Sequence, residues 1–443
     1  MAVASSTFQT PQSGPFTTRT DEELAPGDIA VGVIIGRASE YFDFFVFGIA
    51  SVLVFPQVFF PFEDRLTGTL YAFLVFALAF VVRPVGTLIG MEIQRKFGRS
   101  TKLTAALFLL GSSTVAMGLL PGFASAGSTA IVLLALCRVG QGLALGGSWD
   151  GLPSLLALNA PPDRRGWYAM LGQLGAPLGF FVASGVFLYV YSSLDSKDFL
   201  SWGWRFPFFT AFAINVVALF ARLRLVVTHE YEKRMEEHEL DPAHLHELLP
   251  AQGHHIVIGA LAALASYALF HLVTVFPLSW VALSDPQGID DFMKMELLGA
   301  AFAAAAMPMS GLIADKVGRR NFLGALAVAI GVFAVAAPLM LGGGKPGQAA
   351  FILIGFVLLG LSYGQAAGSV TSNFLPHFRY TGAALTADMA WLLGAAFAPV
   401  IALYLSSQFG LISLTAYLMS GCLATLMALR INKRLQAAAV VND

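Results

Sequence analysis

The sequence predicts an all-α membrane protein, twelve transmembrane helices in two pseudo-symmetric six-helix bundles, and three observations carry that prediction. Hydrophobic residues make up 57% of the chain against 12% charged, and mean hydropathy is +0.72, a composition that does not fit a soluble domain. Apolar runs of roughly 18 to 27 residues recur from Asp28 onward with short polar punctuation, as bilayer-crossing helices require. The segment GMEIQRKFGRSTKL beginning at 90 returns as GLIADKVGRRNFL at 311, about half a chain later, so the chain reads as a duplication.

Taken in order, residues 1–28 are rich in Thr, Ser and Pro and carry Asp21, Glu22 and Glu23. They lack the basic start of a signal peptide and read as a disordered cytoplasmic tail. Spans at 29–56, 67–91, 102–121, 129–157, 166–191 and 205–225 make the first bundle, 29–225. A polar linker follows at 226–253. Spans at 254–282, 295–314, 321–342, 348–372, 381–406 and 410–431 make the second bundle, 254–432, before a tail at 433–443. Even parity puts both termini on one side. Arg95, Lys96, Arg99, Lys102, Arg164, Arg165, Lys316, Arg319, Arg320, Arg379 and Arg430 all fall in alternate loops, which the positive-inside rule makes cytoplasmic.

Several chemistries are set aside. A net charge of −1 on a chain dominated by apolar spans offers no nucleic-acid footprint. Cys137 and Cys422 sit alone in apolar runs, so neither a disulfide framework nor a zinc site is implied. His244-x-His246 in the linker is the nearest approach to a metal pair and reads better as part of a solvated amphipathic segment. Gly342-Gly343-Gly344-Lys345 lacks the spacing of a phosphate loop, and no HExxH or GxSxG motif argues for an enzyme. No cofactor and no metal are expected. The expected partners are a small molecule, protons and the bilayer around a monomer.

The informative chemistry is inside the spans. Arg37, Glu40 and Asp43 interrupt the first apolar run within two helical turns, where an ionisable residue costs several kcal/mol and by default marks a substrate or proton path. Arg37 and Glu40 are one turn apart, as are Glu40 and Asp43, so Glu40 can serve both neighbours. Arg138 lies at a similar depth in the fourth span, and an Asp43–Arg138 pair between helices would offset the desolvation of both. Protonating the acid would then release a guanidinium able to bind an anion bidentately. The competing reading is a buried network that only holds the first and fourth helices together.

Other candidates carry alternatives of their own. Arg37 either binds a substrate carboxylate or neutralises Glu40. Arg83, before Pro84, reads as snorkelling or helix-end packing, with gating as the functional alternative. Asp150 either supplies a carboxylate or gates the cytoplasmic end, and Asp388 is an intramembrane acid for binding, gating or a structural pair. His271 is a titrating site or, more commonly, a hydrogen-bonded core histidine. Tyr41, Gln141, Trp149, Gln173, Tyr363, Gln365 and Trp391 offer the hydrogen bonds and aromatic walls of a substrate cavity, although most such rings face lipid or neighbouring helices. Trp202 and Trp204 read as interfacial anchors. Gly142-x3-Gly146 and Gly175-x3-Gly179 read as close-packing surfaces.

Gly311-x3-Asp315-Lys316-x-Gly318-Arg319-Arg320 resembles the loop signature of the major facilitator superfamily, and Arg138-x-x-Gln141-Gly142 resembles its proton-transfer motif. EYFDFFVFG at 40–48, VVRPVG at 81–86, CRVGQGLALGGSWDG at 137–151, APPDRRGWY at 160–168, WGWRFPF at 202–208 and FRYTG at 378–382 are similar to its metabolite:proton symporter branch. The resemblance implies the major facilitator fold, a bacterial inner-membrane location, and proton-coupled uptake of a carboxylate, betaine or proline. It implies gating roles for Asp315 and Arg319. Gln94 or Arg95, Ser148 and Asn373 stand where the branch has acids. Arg37 and Arg138 favour a small organic anion, such as a mono-, di- or tricarboxylate. A facilitator, exchanger or drug exporter of the same fold is the alternative within transport, and a non-transporting metabolite sensor the alternative outside it.

Overall fold

The computed structural model describes residues 26–149, 160–161, 163–226, 241–366 and 374–442. Among them eleven helices are long and apolar enough to cross a membrane. The twelfth is α1, Pro26–Leu53, 28 residues carrying Arg37, Glu40 and Asp43.

The spans run α1, α2 (Arg65–Phe97), α3 (Arg99–Leu119), α4 (Ser128–Gly147), α5 (Arg165–Leu171 continued by Gly175–Ser193) and α6 (Phe206–Val226). The second set is α7 (Leu264–Thr274 with Phe276–Ser284), α8 (Ile289–Val317), α9 (Arg319–Leu341), α10 (Gly344–Ala366), α11 (Arg379–Ala390 and Ala398–Phe409, joined by a π-helical turn at Trp391–Ala396) and α12 (Ile412–Asn442). No strand occurs among the described residues. This is what a bilayer demands, because each helix satisfies its own backbone hydrogen bonds.

The duplication is visible in backbone geometry. α2 breaks into α3 at Gly98, with φ +82°, and α8 breaks into α9 at Gly318, with φ +84°. Both glycines hold a conformation L-residues resist, which explains why the GR pair recurs in each half. We call the side bearing these two turns the basic face and the opposite side the acidic face.

Within the first bundle α2 packs on α4, α3 on α4 and α6, and α1 on α5 and α6; in the second, α8 packs on α10, and α9 on α10 and α12. The small-residue surfaces predicted from the sequence make the closest of these contacts. A Cβ on Gly142 or Gly146 would collide with the α2 backbone at Ala79 and Arg83, and one on Gly175 or Gly179 with α1 at Arg37 and Ala38. Large side chains such as Phe108, Tyr189, Phe220 and Leu339 point outward as the lipid-facing belt.

Two expectations need correction. The predicted linker is partly helical, since a helix at Leu245–Ala262 begins inside it and kinks at Gln252 (φ −140°). Leu248 is buried, Ala243 N donates to Thr381 Oγ1 at 2.9 Å, and Leu375 N donates to Gln252 Oε1 at 3.0 Å. This piece, with His244 and His246 at its start, is docked on the second bundle rather than solvated throughout. The described helix of the fourth span closes at Gly147 with Ser148 as its cap, and positions 150–157 of the predicted span lie outside the described residues. Trp204 is no interfacial anchor: it is fully buried among Phe55, Phe59 and Phe208, under the Arg205 guanidinium at 4.5 Å, whereas Trp202 is exposed.

Candidate functional site

The two bundles meet at the basic face, at mid-depth and at the acidic face. At the acidic face the contact includes Ser192 of α5 donating to Asp290 of α8. Most of the described site candidates lie along this seam or just inside the first bundle.

At mid-depth α1 presents Tyr41, Phe44 and Phe45 to α7 and α11. Tyr41 and Tyr363 of α10 hydrogen-bond through their hydroxyls across the seam. Phe45 stacks on Phe270 with centroids 5.6 Å apart, and Phe80 of α2 stacks on Trp391 at 5.4 Å. Trp391 opens the π-helical turn of α11, an insertion that recurs at functional sites because it redirects one side chain. The His271 ring lies in the same box, 5.2 Å from Phe44 and from Phe76. Neither ring nitrogen has a hydrogen-bond partner, so His271 is not the hydrogen-bonded core histidine expected as commonest. A small apolar pocket beside the box is lined by Phe45, Phe180, Thr274, Met307 and Phe356, with Tyr363 at its edge.

Behind Phe44, inside the first bundle, the expected Asp43–Arg138 ion pair is absent, and the two groups are held separately. Asp43 Oδ2 accepts from Asn215 Nδ2 of α6 at 2.5 Å, and Ser39 Oγ orients that amide by donating to Asn215 Oδ1 at 2.7 Å. Arg138 donates from Nε to the Phe76 carbonyl at 3.1 Å and from Nη1 to Gln141 Oε1 at 2.8 Å. Its guanidinium lies 4.2 Å from the Phe47 centroid and 4.7 Å from that of Phe76. Ring faces carry a weakly hydrated planar cation well, which removes the need for a touching carboxylate. The link to Asp43 is indirect: Gln141 Nε2 donates to Thr114 Oγ1 at 2.7 Å, and Thr114 borders Asp43. Gln141 is therefore a relay inside the bundle, not a cavity wall. Asp43 Oδ1 and Arg138 Nη2 are both buried and without hydrogen-bond partners.

Towards the basic end of α1, Arg37 Nη1 lies 2.7 Å from Glu40 Oε2, which is the neutralising alternative, and its guanidinium sits 5.5 Å from the Tyr41 ring. Ser148, where the branch has an acid, donates to Glu40 Oε1 at 2.9 Å. Gln173 is buried at the break between the two pieces of α5.

The basic face holds the largest corrections. Arg83 does not snorkel: it is buried, with Nε 2.8 Å from Asp388 Oδ1 on α11. Thr87 donates to the other carboxylate oxygen at 2.5 Å. Asp388 is thus committed to a cross-bundle pair rather than to an open cavity. Trp149 contributes its carbonyl here, accepting from Lys102 Nζ at 2.6 Å and Tyr380 OH at 3.0 Å, while its indole Nε1 is buried without a hydrogen-bond partner. Asp315 accepts from the backbone N–H of Gly166 (2.5 Å) and Trp167 (3.1 Å) at the start of α5. Arg319 Nη2 donates to the Arg165 carbonyl at 3.1 Å and its Nε to Gln365 Oε1 at 3.2 Å. Gln365 Nε2 in turn donates to the Gly166 carbonyl at 3.0 Å, which makes Gln365 part of this closure and not of a substrate site. Asp150 and Asn373 lie outside the described residues.

The model of the Major Facilitator Superfamily matches residues 33–399, most of the chain. The chain belongs to the major facilitator superfamily. The chain is 38% identical to the inner membrane metabolite transport protein YhjE of Escherichia coli (strain K12), over 94% of this chain and 97% of that protein. It is 28% identical to the shikimate transporter of the same organism, over 92% and 95%, and 28% identical to the proline/betaine transporter of Salmonella typhimurium, over 84% and 77%. Its fold matches the crystal structure of a D-xylose-proton symporter with TM-score 0.67 at 19% identity, over 91% of this chain and 97% of that one. It is an integral membrane transporter and not an enzyme.

Sequence reasoning missed two groups that the transporter buries along the seam. Lys102 is buried among three oxygen acceptors, although its place in a basic loop suggested solvent. Glu296 is fully buried, yet it follows Lys294 so closely that it passed for the edge of a span. Because α8 starts at Ile289, Glu296 is two turns inside the helix. A longer window over KMELLGAAF would have marked it.

Proposed function

We propose that this transporter is a proton-coupled symporter that takes up a small organic anion by alternating access, in a bacterial inner membrane with the basic face and both termini cytoplasmic. The observation that carries the reading is the pair of incompletely satisfied buried groups, Asp43 with one oxygen and Arg138 with one nitrogen that make no hydrogen bond, with Gln141 and Thr114 lying between them. A proton on Asp43 removes the negative charge nearest this guanidinium, and a carboxylate can then supply the missing counter-charge through Nη2. Relatives named for shikimate and for proline and betaine support small carboxylate-bearing metabolites as the class. The tyrosine pair and the aromatic box around Trp391 must separate for the substrate to enter, and their rings offer faces to its apolar part.

The test uses purified protein in proteoliposomes. A thermal-shift screen of mono-, di- and tricarboxylates, betaines and aromatic acids identifies a ligand, since one at a hundred times its Kd stabilises the fold by about 2.7 kcal/mol. An imposed inward-acid gradient then drives accumulation of that ligand. Asp43→Asn abolishes the accumulation and leaves exchange, and full accumulation by this variant sinks the proposal. Exchange without any gradient-driven uptake in the unaltered protein establishes the exchanger instead.

A further inference from the structure

Glu296 has no role in the scheme above, and its setting is unlike that of the other buried acids. Asp388 has Arg83 and Thr87, Glu40 has Arg37 and Ser148, and Asp43 has Asn215. Glu296 is 0% exposed and neither carboxyl oxygen has a hydrogen-bond partner. Its neighbours on the buried ridge of α8 are Met293, Ala300, Ala303 and Met307, and the last two line the apolar pocket at mid-seam. The next residue, Leu297, lies 3.8 Å from the position of a Cβ on Gly185 of α5. That contact brings this turn of α8 level with Ser184, which is also 0% exposed and whose hydroxyl has no partner. A helical serine usually satisfies its hydroxyl on the preceding turn, so its unpartnered state is a second, independent sign of a polar site in the seam.

Among the described residues no nearby charge compensates the acid. Along α8, Asp290 is paired with Lys294 and Asp291 with Lys345 of α10. α5 offers only Tyr189 and Tyr191 on this side, α7 only Tyr267 and His271, and α10 besides Lys345 only Tyr363. Arg319 and Arg320 stand at the far, basic end of α9. A bare carboxylate in such a place is strongly disfavoured, whereas the uncharged acid is tolerated.

We propose that Glu296 is a second proton-carrying site of this transporter, protonated while α5 and α8 are closed on each other and deprotonated when they part and water reaches Ser184 and the carboxyl group. The inference rests on the proton-coupled reading, and it adds a site in the second bundle to Asp43 in the first. The infrared spectrum of the purified full chain at neutral pH is expected to contain a protonated-carboxyl carbonyl band that Glu296→Gln removes. In proteoliposomes the same variant is expected to lose at least tenfold of gradient-driven accumulation while substrate thermal shift and exchange stay within twofold. An unchanged band or unchanged accumulation overturns the proposal. If Glu296→Gln fails to fold, a hydrophobic carbodiimide, which adds to protonated buried carboxyls, is applied to the unaltered protein and the adduct mapped by mass spectrometry. Modification at Glu296 supports the site, and none there overturns it. Should the unaltered protein show no gradient-driven uptake, the symport reading fails, while the infrared band still decides whether Glu296 holds a proton.

Discussion

The two glycine turns of the basic face share a backbone and differ in chemistry. At the α8–α9 turn an anion, Asp315, is held by the N-terminal N–H groups of α5. At the α2–α3 turn Gln94 matches Asp315 when the count runs from Gly90 and Gly311, and Arg95 when it runs from the turn glycines; there a cation, Lys102, is held by Gln94 Oε1 at 2.8 Å, Tyr380 OH at 2.7 Å and the Trp149 carbonyl just beyond the C-terminus of α4. Each charge sits at the unfavourable end of its own helix and the favourable end of another, so each is stabilised by a neighbour's dipole. The decisive difference is where that neighbour belongs. Asp315 relies on α5, across the seam, whereas Lys102 relies mainly on its own bundle, with Tyr380 as a crossing contact.

The second closure has another crossing bond one layer deeper. Arg83, eleven residues before Gln94, pairs with Asp388, while on the count from Gly90 and Gly311 the matching residue, eleven before Asp315, is Ala304. One closure therefore opens by breaking a helix cap and the other by breaking an ion pair. Losing Asp388 should produce the largest effect, because Asp388→Asn leaves Arg83 buried without its counter-charge at a cost of about 3 to 5 kcal/mol. Spin labels at Thr101→Cys and Asn321→Cys, exposed positions on α3 and α9, should report a shift of the basic face towards open forms. The double variant Arg83→Leu/Asp388→Leu should recover most of the closed population. A closed distance distribution in Asp388→Asn would remove the ion pair from the comparison.

Lys102→Met comes next, at about 2 kcal/mol, since it leaves three oxygens without their buried cation. The loss should appear as a lower Tm of the whole protein with the label distances unchanged. Opening equal to that in Asp388→Asn would mean Lys102 is a crossing lock after all.

How far this asymmetry could be read in advance depends on what a linear pattern encodes. Depth in the bilayer was readable, and so were the duplication and the special charges of α1, because apolar length and recurring glycines are one-dimensional signals. Azimuth was not. Arg138 and Asp43 share a depth, yet Arg138 turns towards Phe47 and Phe76 while Asp43 turns towards Asn215, and only packing decides that. Arg83 looked like a helix-end residue because Pro84 follows it, and its partner lies 305 positions away in sequence beyond the reach of any local window. Glu296 was hidden by the boundary error that is least avoidable, a helix that starts one to two turns before its apolar core.

Asp315→Asn tests the other side of the comparison with a smaller expected effect. The amide oxygen can still accept from Gly166 N–H, but the Trp167 N–H then faces the amide nitrogen, so the loss is the charge–dipole part together with one hydrogen bond, about 1 to 2 kcal/mol. That is at least several-fold in the closed population, read by the same labels, with Tm nearly constant. Gly98→Ala and Gly318→Ala then serve as the internal control. Both residues have open space where a Cβ would go and φ of +82° and +84°, with ψ 168° at Gly98 and 132° at Gly318, so each substitution should cost about 1 to 3 kcal/mol through backbone strain alone. The two losses should agree within a few tenths of a kcal/mol, because at these turns the halves are the same object. A clear inequality would show that the asymmetry begins in the backbone of the turns and not in the side chains that close over them.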